Sequence, residues 1–222
     1  MKAKSSVLAC CRVLLFFVLM MLMYEGTAGS DEIKDPTKDY YTLVARLKSG
    51  DTSIDYAKLR YSFTRASEYK PYGGDTVDRE AMWMAMKSKE HEPAINHCQA
   101  VLSKNYTDME AHFVCNIAYR EAGNTKQQAF HSAVLKGLTG SLYRSGNGES
   151  PETAFIVICT DEEYFMLNMN GYKTIRQKLL IKDGMHFDEM EVREEKTGVI
   201  SKIYFNVEFP FRWLNEQRIK KN

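Results

Sequence analysis

Residues 174–207 read TIRQKLLIKDGMHFDEMEVREEKTGVISKIYFNV, and this stretch decides the fold of the C-terminal part of the chain. It contains three runs rich in β-branched and aromatic residues, at 174–182, 185–193 and 199–207. Asp183-Gly184 separates the first two runs, and an Asp-Gly pair in this position is a strong hairpin signal because the tight turn requires positive φ. The stretch therefore predicts an antiparallel β meander.

The residues from 40 to 140 have helical spacing instead. Apolar residues recur every three or four positions, as Leu43, Val44 and Leu47 do before Gly50. Thr107 and Glu110 match a capping box, in which each side chain satisfies a free backbone N–H at the start of a helix. Short breaks between the helical segments predict antiparallel helical hairpins.

A glycine-containing loop at 140–150 separates the helical part from the strand part. After it, Thr160 and Glu163 match a second capping box and predict a helix over 161–170. Pro210 is expected to end the edge strand.

The overall prediction is one α+β domain over 30–222, with a helical part at 40–140 and a β-rich part at 153–213. An aromatic cluster near its C-terminus closes the core or forms a partner surface, and its members are Phe205, Phe209, Phe211 and Trp213.

The N-terminus has the layout of a signal peptide. Lys2, Lys4 and Arg12 precede an apolar run at 13–23, and small residues follow at 26–29. The run is shorter than the roughly 20 apolar residues that span a bilayer. We expect residues 1–29 to be removed, no transmembrane segment in the mature chain, and export to the periplasm or the cell exterior. A lipid anchor at Cys10 is the weaker alternative, because the apolar run follows that cysteine instead of preceding it.

Three cysteines remain after residue 29, so the mature chain forms at most one internal disulfide. Cys98 and Cys115 fall on neighbouring predicted helices. Core packing is the favoured interpretation for this pair, while a disulfide and a metal or redox site remain open. Cys159 ends an apolar run with no adjacent base, which favours a buried structural thiol over a nucleophile.

The net charge and the lack of several known sequence motifs exclude several classes of function. The formal net charge of +1 provides no field that would attract nucleic acid. The chain has no phosphate-binding G-x-x-x-x-G-K-[ST] loop, no G-x-S-x-G elbow and no His-Glu-x-x-His pattern. We therefore assign no catalytic, cofactor-binding or metal-binding residue.

Two loops are candidates for contacting a ligand or partner, because glycine allows a close approach of the backbone. They could line one cleft between the helices and the sheet, although turns that serve only backbone geometry are the favoured interpretation. The candidate residues are Tyr72, Gly73, Gly74 and Asp75 in the first loop and Gly146, Gly148 and Glu152 in the second.

One polar pair deserves mention as an alternative site. His186 and Asp188 are two residues apart on a predicted strand, which places both side chains on one face of the sheet. An acid/base pair requires such proximity. The exposed polar face of an antiparallel sheet has the same pattern, and this second interpretation is favoured.

The helical part resembles a tetratricopeptide repeat in part. Glu110, Ala111, Tyr119 and Gly123 match the pattern, and Ala129 falls one position late. The Trp-Leu-Gly signature is absent and fewer than two units are present, so these helices must pack on another part of the chain. By analogy, the resemblance implies binding of a protein or peptide.

Several short blocks along the chain resemble a bacterial exported family known as domain of unknown function 4919. The resemblance covers nearly all of the mature chain and implies no chemistry, because that family has no activity to transfer. We therefore expect a non-enzymatic module that binds a protein or peptide of the cell envelope. The alternative is a hydrolase-like enzyme with a site near His186, Asp188 and the glycine loops. The blocks that carry the resemblance are Leu59-Arg60-Tyr61, 71–75, 148–155, Glu162-Glu163-Tyr164 and 203–207.

Overall fold

A computed structural model describes residues 36–73 and 76–220. The predicted signal peptide, Cys10, Gly74 and Asp75 lie outside the described residues. The described chain begins with a series of helices: α1 (Pro36–Lys48), α2 (Tyr56–Phe63), α3 (Thr76–Lys87), α4 (His91–Lys104), α5 (Met109–Glu121) and α6 (Thr125–Tyr143).

Helix α1 packs on α2, in agreement with the predicted hairpins. Helices α3 to α6 form a series in which each contacts the next, and α2 also packs on α6. Asp108 caps α5 by accepting a hydrogen bond from the Ala111 N–H. The expected cap at Thr107 is therefore wrong by one residue, because the Thr107 hydroxyl donates to Asn105 instead.

The C-terminal part contains a short strand, a helix and the meander. These are β1 (Phe155–Ile156), α7 (Thr160–Met169), β2 (Tyr172–Lys182), β3 (Met185–Glu194) and β4 (Ile200–Asn206), followed by α8 (Glu208–Ile219). The antiparallel pairing of β2 with β3 and of β3 with β4 agrees with the prediction, and the fold is α+β. Strand β1 pairs with β4 in parallel, so the complete sheet is mixed and has the order β1-β4-β3-β2.

The end of the chain departs from the sequence expectation. Pro210 is the third residue of α8 and does not end an edge strand, because β4 lies inside the sheet between β1 and β3. Proline is tolerated in the first turn of a helix, where its missing N–H has no partner to lose. The aromatic cluster packs inward: Phe205 is fully buried, and Phe209 and Trp213 pack against the core.

One hydrophobic core joins the helices to the sheet. It includes Leu47 of α1, Leu138 of α6, Leu167 of α7 and Phe205 of β4. The incomplete helical hairpins therefore cover their apolar faces with the C-terminal part of the chain. Within residues 36–73 and 76–220, no helix has both the length and the apolar character that crossing a bilayer requires.

Candidate functional site

The start of α7 meets the loop that follows α2. The Tyr69 hydroxyl donates to the Ile158 carbonyl oxygen at 2.5 Å, and the Thr160 N–H donates to the Pro71 carbonyl oxygen at 3.2 Å. Each contact joins residues 89 positions apart in the chain. Two segments that carry the family resemblance, the loop at 71–73 and the start of α7, are therefore held together by backbone groups.

Three consecutive carboxylates, Asp161, Glu162 and Glu163, begin α7 and have three different environments. The predicted capping box does not form, because Cys159 is the N-cap residue and no side chain caps the helix. Thr160 instead donates its hydroxyl to Pro71. Successive helical residues are about 100° apart around the axis, so each carboxylate reaches a different neighbour.

Glu162 lies in the core and pairs with Arg60, which is fully buried. Arg60 Nε donates to Oε1 at 2.8 Å and its NH2 group donates to Oε2 at 2.6 Å. The remaining guanidinium donors reach Ser141 Oγ at 3.1 Å and the Ile156 carbonyl oxygen at 2.8 Å. This network is satisfied and inaccessible, so its role is structural.

Glu163 is also fully buried, but neither of its carboxylate oxygens has a hydrogen-bond partner among the described residues. Burial, together with the nearby charge of Asp188, raises the pKa of Glu163 well above its usual value. Burial also raises the pKa of Asp188, whose Oδ2 accepts a hydrogen bond from Gln177 Nε2 at 2.7 Å. Glu163 and Asp188 therefore form a buried acidic pair, and no cation of the described residues forms an ion pair with either carboxyl group.

Asp161 is the accessible member of the three, with 44% of its side chain exposed. It lies at a cleft of about 550 Å³ and contacts Arg79 of α3, with 3.1 Å between NH2 and Oδ2. The same guanidinium donates to Asp108 at 2.5 Å and to Glu110. Burial lowers the pKa of Arg79, but its three carboxylate partners outweigh this and raise it.

The cleft lies between α2, α3, α4 and the starts of α5 and α7. A volume of this size is typical of sites for small molecules and cofactors. Cys159 is half-buried on its wall, and burial raises the pKa of its thiol well above 9, so the thiolate that a nucleophile requires is disfavoured. The lining combines apolar with charged side chains: Phe63, Tyr69, Val101, Glu68, Lys70, Arg79, Lys104, Asp108 and Asp161, together with Ser67, Gly73, Asn105 and Cys159.

The first candidate loop contributes to this region and the second does not. Gly73 lines the cleft, while the Tyr72 ring lies 6.3 Å from the Trp213 ring. None of Gly146, Gly148 and Glu152 lines the cleft. A Cβ at Gly146 would lie 2.4 Å from the Thr153 carbonyl oxygen, so this glycine permits a close approach of two backbone segments.

The second candidate loop is tied to the sheet. Gly148 accepts a hydrogen bond from the Tyr204 N–H at 2.9 Å, and Glu152 forms an ion pair with Lys182. These contacts fasten the loop to β4 and to the end of β2. Its glycines therefore have a packing role.

His186 and Asp188 bind different partners. His186 Nδ1 lies 2.8 Å from Glu208 Oε1, and the His186 ring stacks on Phe211 with 3.4 Å between centroids. Asp188 accepts from Gln177, as described above. The structure shows no hydrogen bond between the two, and each already has its own partner.

Sequence reasoning missed Arg79, Asp161 and Glu163. The run at 161–163 was interpreted as part of a helix cap, which is the ordinary role of acidic residues in a first turn. Nothing in the local sequence singles out Arg79, because its three carboxylate partners lie 29 to 82 positions away in the chain.

The match to known proteins is to a family model. The model described as Domain of unknown function (DUF4919) matches residues 29–217. The chain belongs to this family. No curated protein and no solved structure matches the chain. The family assignment adds no activity, so the geometry of the site is the remaining basis for a function.

Proposed function

We propose that the protein is a non-enzymatic binding module, and that the cleft beside Asp161 holds a short peptide segment with a cationic side chain. The observation that carries this proposal is the charge around Arg79. One guanidinium contacts the carboxylates of Asp108, Glu110 and Asp161, and no other cation of the described residues pairs with these three, so two negative charges remain uncompensated there. A positively charged group of a ligand would supply the missing partner.

Asp161 is the carboxylate best placed to receive that group, since it is the most exposed of the three. Burial raises the pKa of Asp161; Arg79 partly offsets this, and the nearby Asp108 and Glu110 charges raise it further. A carboxylate in such surroundings gains more from an added cation than a solvated one does. The ligand cation is therefore expected to contact Asp161 directly.

The rest of the lining favours a peptide over a simple cation. Phe63, Tyr69 and Val101 supply an apolar wall for a side-chain stem. Lys70 and Lys104 supply positive charge elsewhere on the wall, although Lys104 already lies 3.4 Å from Asp78. A peptide that carries both a cation and a carbonyl or carboxylate oxygen matches this distribution.

A randomised tetrapeptide library on beads tests the proposal. The expected result is enrichment of Lys and Arg over Asp and Glu among the captured peptides, and loss of this enrichment in Asp161→Asn. Binding of the enriched peptide can be measured through Trp83, whose Nε1 donates to Glu110 at 2.9 Å. A Trp213→Phe background leaves Trp83 as the sole tryptophan, because the chain has two.

Asp51→Asn is the matched control, because Asp51 is a carboxylate outside the cleft that pairs with Arg46. It should bind the enriched peptide as the parent protein does. Capture without a preference for cationic residues, or equal binding by Asp161→Asn and Asp51→Asn, would contradict the proposal.

We also propose that the module acts in an oxidising compartment outside the cytoplasm, on a protein or peptide of the cell envelope. Two observations support export: the signal-like layout of residues 1–29, and a disulfide between Cys98 and Cys115 that links α4 to α5. Sequencing of the mature N-terminus tests this. A free amine near Ser30 is expected, and lipid on Cys10 would contradict the proposed cleavage.

A further inference from the structure

Strand β2 is an edge strand of the sheet, at the end opposite β1. It pairs with β3 on one side, and no other strand among the described residues pairs with its second side. The register shifts between Thr174 and Arg176, so the regular ladder available to a further strand runs from 176 to 182. An exposed edge of seven residues is a template for strand addition.

Apolar side chains lie uncovered along this edge. Residues opposite each other in a sheet share a face, so Gln177 and Leu179 lie on the same face as the buried Met190 and Asp188. Ile181 follows on that face. Yet Leu179 is 49% exposed and Ile181 is 69% exposed, which shows that the helices do not cover this end of β2.

The opposite face of the same segment is basic. It carries Arg176, Lys178 and Lys182, and β2 contains no Asp or Glu. Arg176 pairs with Glu191 at 2.7 Å and Lys182 pairs with Glu152. Lys178 faces Glu189, which already forms an ion pair with Lys202 at 3.0 Å. Leu180, opposite Phe187, also lies on this face, so the edge presents three cations and one leucine on one face and Gln177, Leu179 and Ile181 on the other.

This pattern disfavours a second copy of the chain as the occupant. In a symmetric dimer, β2 would pair antiparallel with β2 of the second copy, and the same face of both strands would lie on one side of the extended sheet. Such pairing can be centred on residue 177, 178, 179 or 180. Every one of these registers places two of the cationic residues Arg176, Lys178 and Lys182 opposite each other, or places Lys178 opposite its own copy. Like charges directly opposite in a sheet are destabilising.

We propose that the free edge of β2 binds an extended segment of a partner protein in which carboxylates alternate with apolar residues. The segment adds a strand to the sheet, with its carboxylates beside Arg176, Lys178 and Lys182 and its apolar side chains beside Leu179 and Ile181. This surface is separate from the cleft, because no residue of β2 lines the cleft.

Fluorescence anisotropy with two labelled octapeptides tests the proposal at low ionic strength. One peptide alternates Glu with Val, and its twin alternates Lys with Val. The comparison is made in an Asp161→Asn background, which removes the proposed preference of the cleft for cationic peptides. This protein should prefer the Glu peptide by about tenfold, and adding Lys178→Glu should reverse the preference. Adding Lys126→Glu instead makes the same change in net charge in the first turn of α6 and should leave the preference for the Glu peptide unchanged.

A third peptide separates strand addition from electrostatic attraction alone. It has the Glu-Val sequence with N-methyl groups on alternate backbone nitrogens, which blocks hydrogen bonding along one edge while keeping the charge. About a tenfold loss of affinity is expected. Equal binding of the methylated peptide, or an unchanged preference in Lys178→Glu, would overturn the proposal. Asp161→Asn should bind the Glu peptide normally, so failure at the cleft and failure at this edge are distinguishable.

Discussion

Arg60 and Glu162 form a two-hydrogen-bond ion pair in the core although they lie 102 positions apart in the chain. Removing one partner leaves the other charge buried without compensation, and such changes destabilise proteins by about 3–5 kcal/mol. We expect Glu162→Gln to lower the free energy of unfolding by an amount in this range. Urea unfolding monitored by circular dichroism measures it. A loss below about 1 kcal/mol, as for exposed pairs, would contradict the buried pairing.

Glu163→Gln should have the opposite effect. The pKa of Glu163 in the folded protein is raised by burial, so between the unfolded pKa and the folded pKa the folded state binds more protons than the unfolded state. Stability is therefore lost as the pH rises through this window. We expect Glu163→Gln to raise the melting temperature at pH 7.5 and to lose this advantage near pH 4. A lower melting temperature at pH 7.5 would contradict the assignment.

His112 of α5 and His131 of α6 are buried and belong to a chain of hydrogen bonds in which every donor points the same way along the chain. His112 Nε2 lies 3.1 Å from the Tyr106 carbonyl oxygen, which only accepts, so Nε2 carries the proton. In the neutral ring His112 Nδ1 then accepts from His131 Nδ1 at 2.9 Å. His131 Nε2 accepts from Gln99 Nε2 at 3.3 Å. Both rings are satisfied only while they are neutral.

Acid should therefore destabilise the helical part. Burial lowers the pKa of His112 to about 4, and burial together with the neighbouring ring lowers the pKa of His131 to about 3. The unfolded chain binds protons near pH 6.5 that the folded chain does not accept, so stability falls as the pH drops from 6.5 toward 4. His112 alone accounts for about 3 kcal/mol of this loss.

Urea unfolding at pH 7.5 and pH 4.5 measures this dependence. The difference between the two pH values should shrink in His112→Gln and should stay the same in His97→Gln, since His97 is partly exposed and contacts Asp78. An identical difference in the wild type and His112→Gln would show that the buried pair does not control the acid response.

The disulfide between Cys98 and Cys115 closes a loop with a sequence separation of 17. Loops of this length contribute about 3 kcal/mol by restricting the unfolded chain. We expect Cys98→Ala/Cys115→Ala to lower the midpoint of urea unfolding accordingly, while Cys159→Ser, which removes the free thiol, retains the disulfide. Peptide mapping without reductant identifies the bond. Recovery of Cys98 and Cys115 in separate peptides would contradict it.

Local signals in the sequence were sufficient for much of the fold. The Asp183-Gly184 turn and the alternation around it predicted the β2–β3 hairpin, because positive φ and two-residue periodicity are short-range requirements. The helical hairpins followed from apolar spacing for the same reason. For Cys98 and Cys115, core packing without a bond was the favoured interpretation, and it is wrong because the structure joins the two in a disulfide. Adjacency of helices does not specify the chemistry of two thiols.

Contacts between residues far apart in the chain explain the features that local sequence patterns predicted wrongly. Pro210 lies in a helix because β4 ends at Asn206, where the Val207 N–H still donates to the His186 carbonyl oxygen at 3.0 Å, and Val207 is already the N-cap residue of α8. The candidate pair His186 and Asp188 shares a strand, but Glu208 and Gln177 arrive from elsewhere in the chain and bind them separately. The edge position of β2 likewise depends on a long-range contact, because β1 pairs with β4 and not with β2.

The sequence by itself determined helices α1 to α7, the meander and the acidic start of α7, because each depends on residues within a few positions of one another. The tertiary structure alone decided that Glu162 meets Arg60, that Asp161 meets Arg79 and that Glu163 meets no cation within residues 36–73 and 76–220. Neighbouring residues of a helix point about 100° apart, and the partners that each direction offers come from segments roughly one hundred residues distant. Because the three carboxylates have different partners and different degrees of burial, they have different roles.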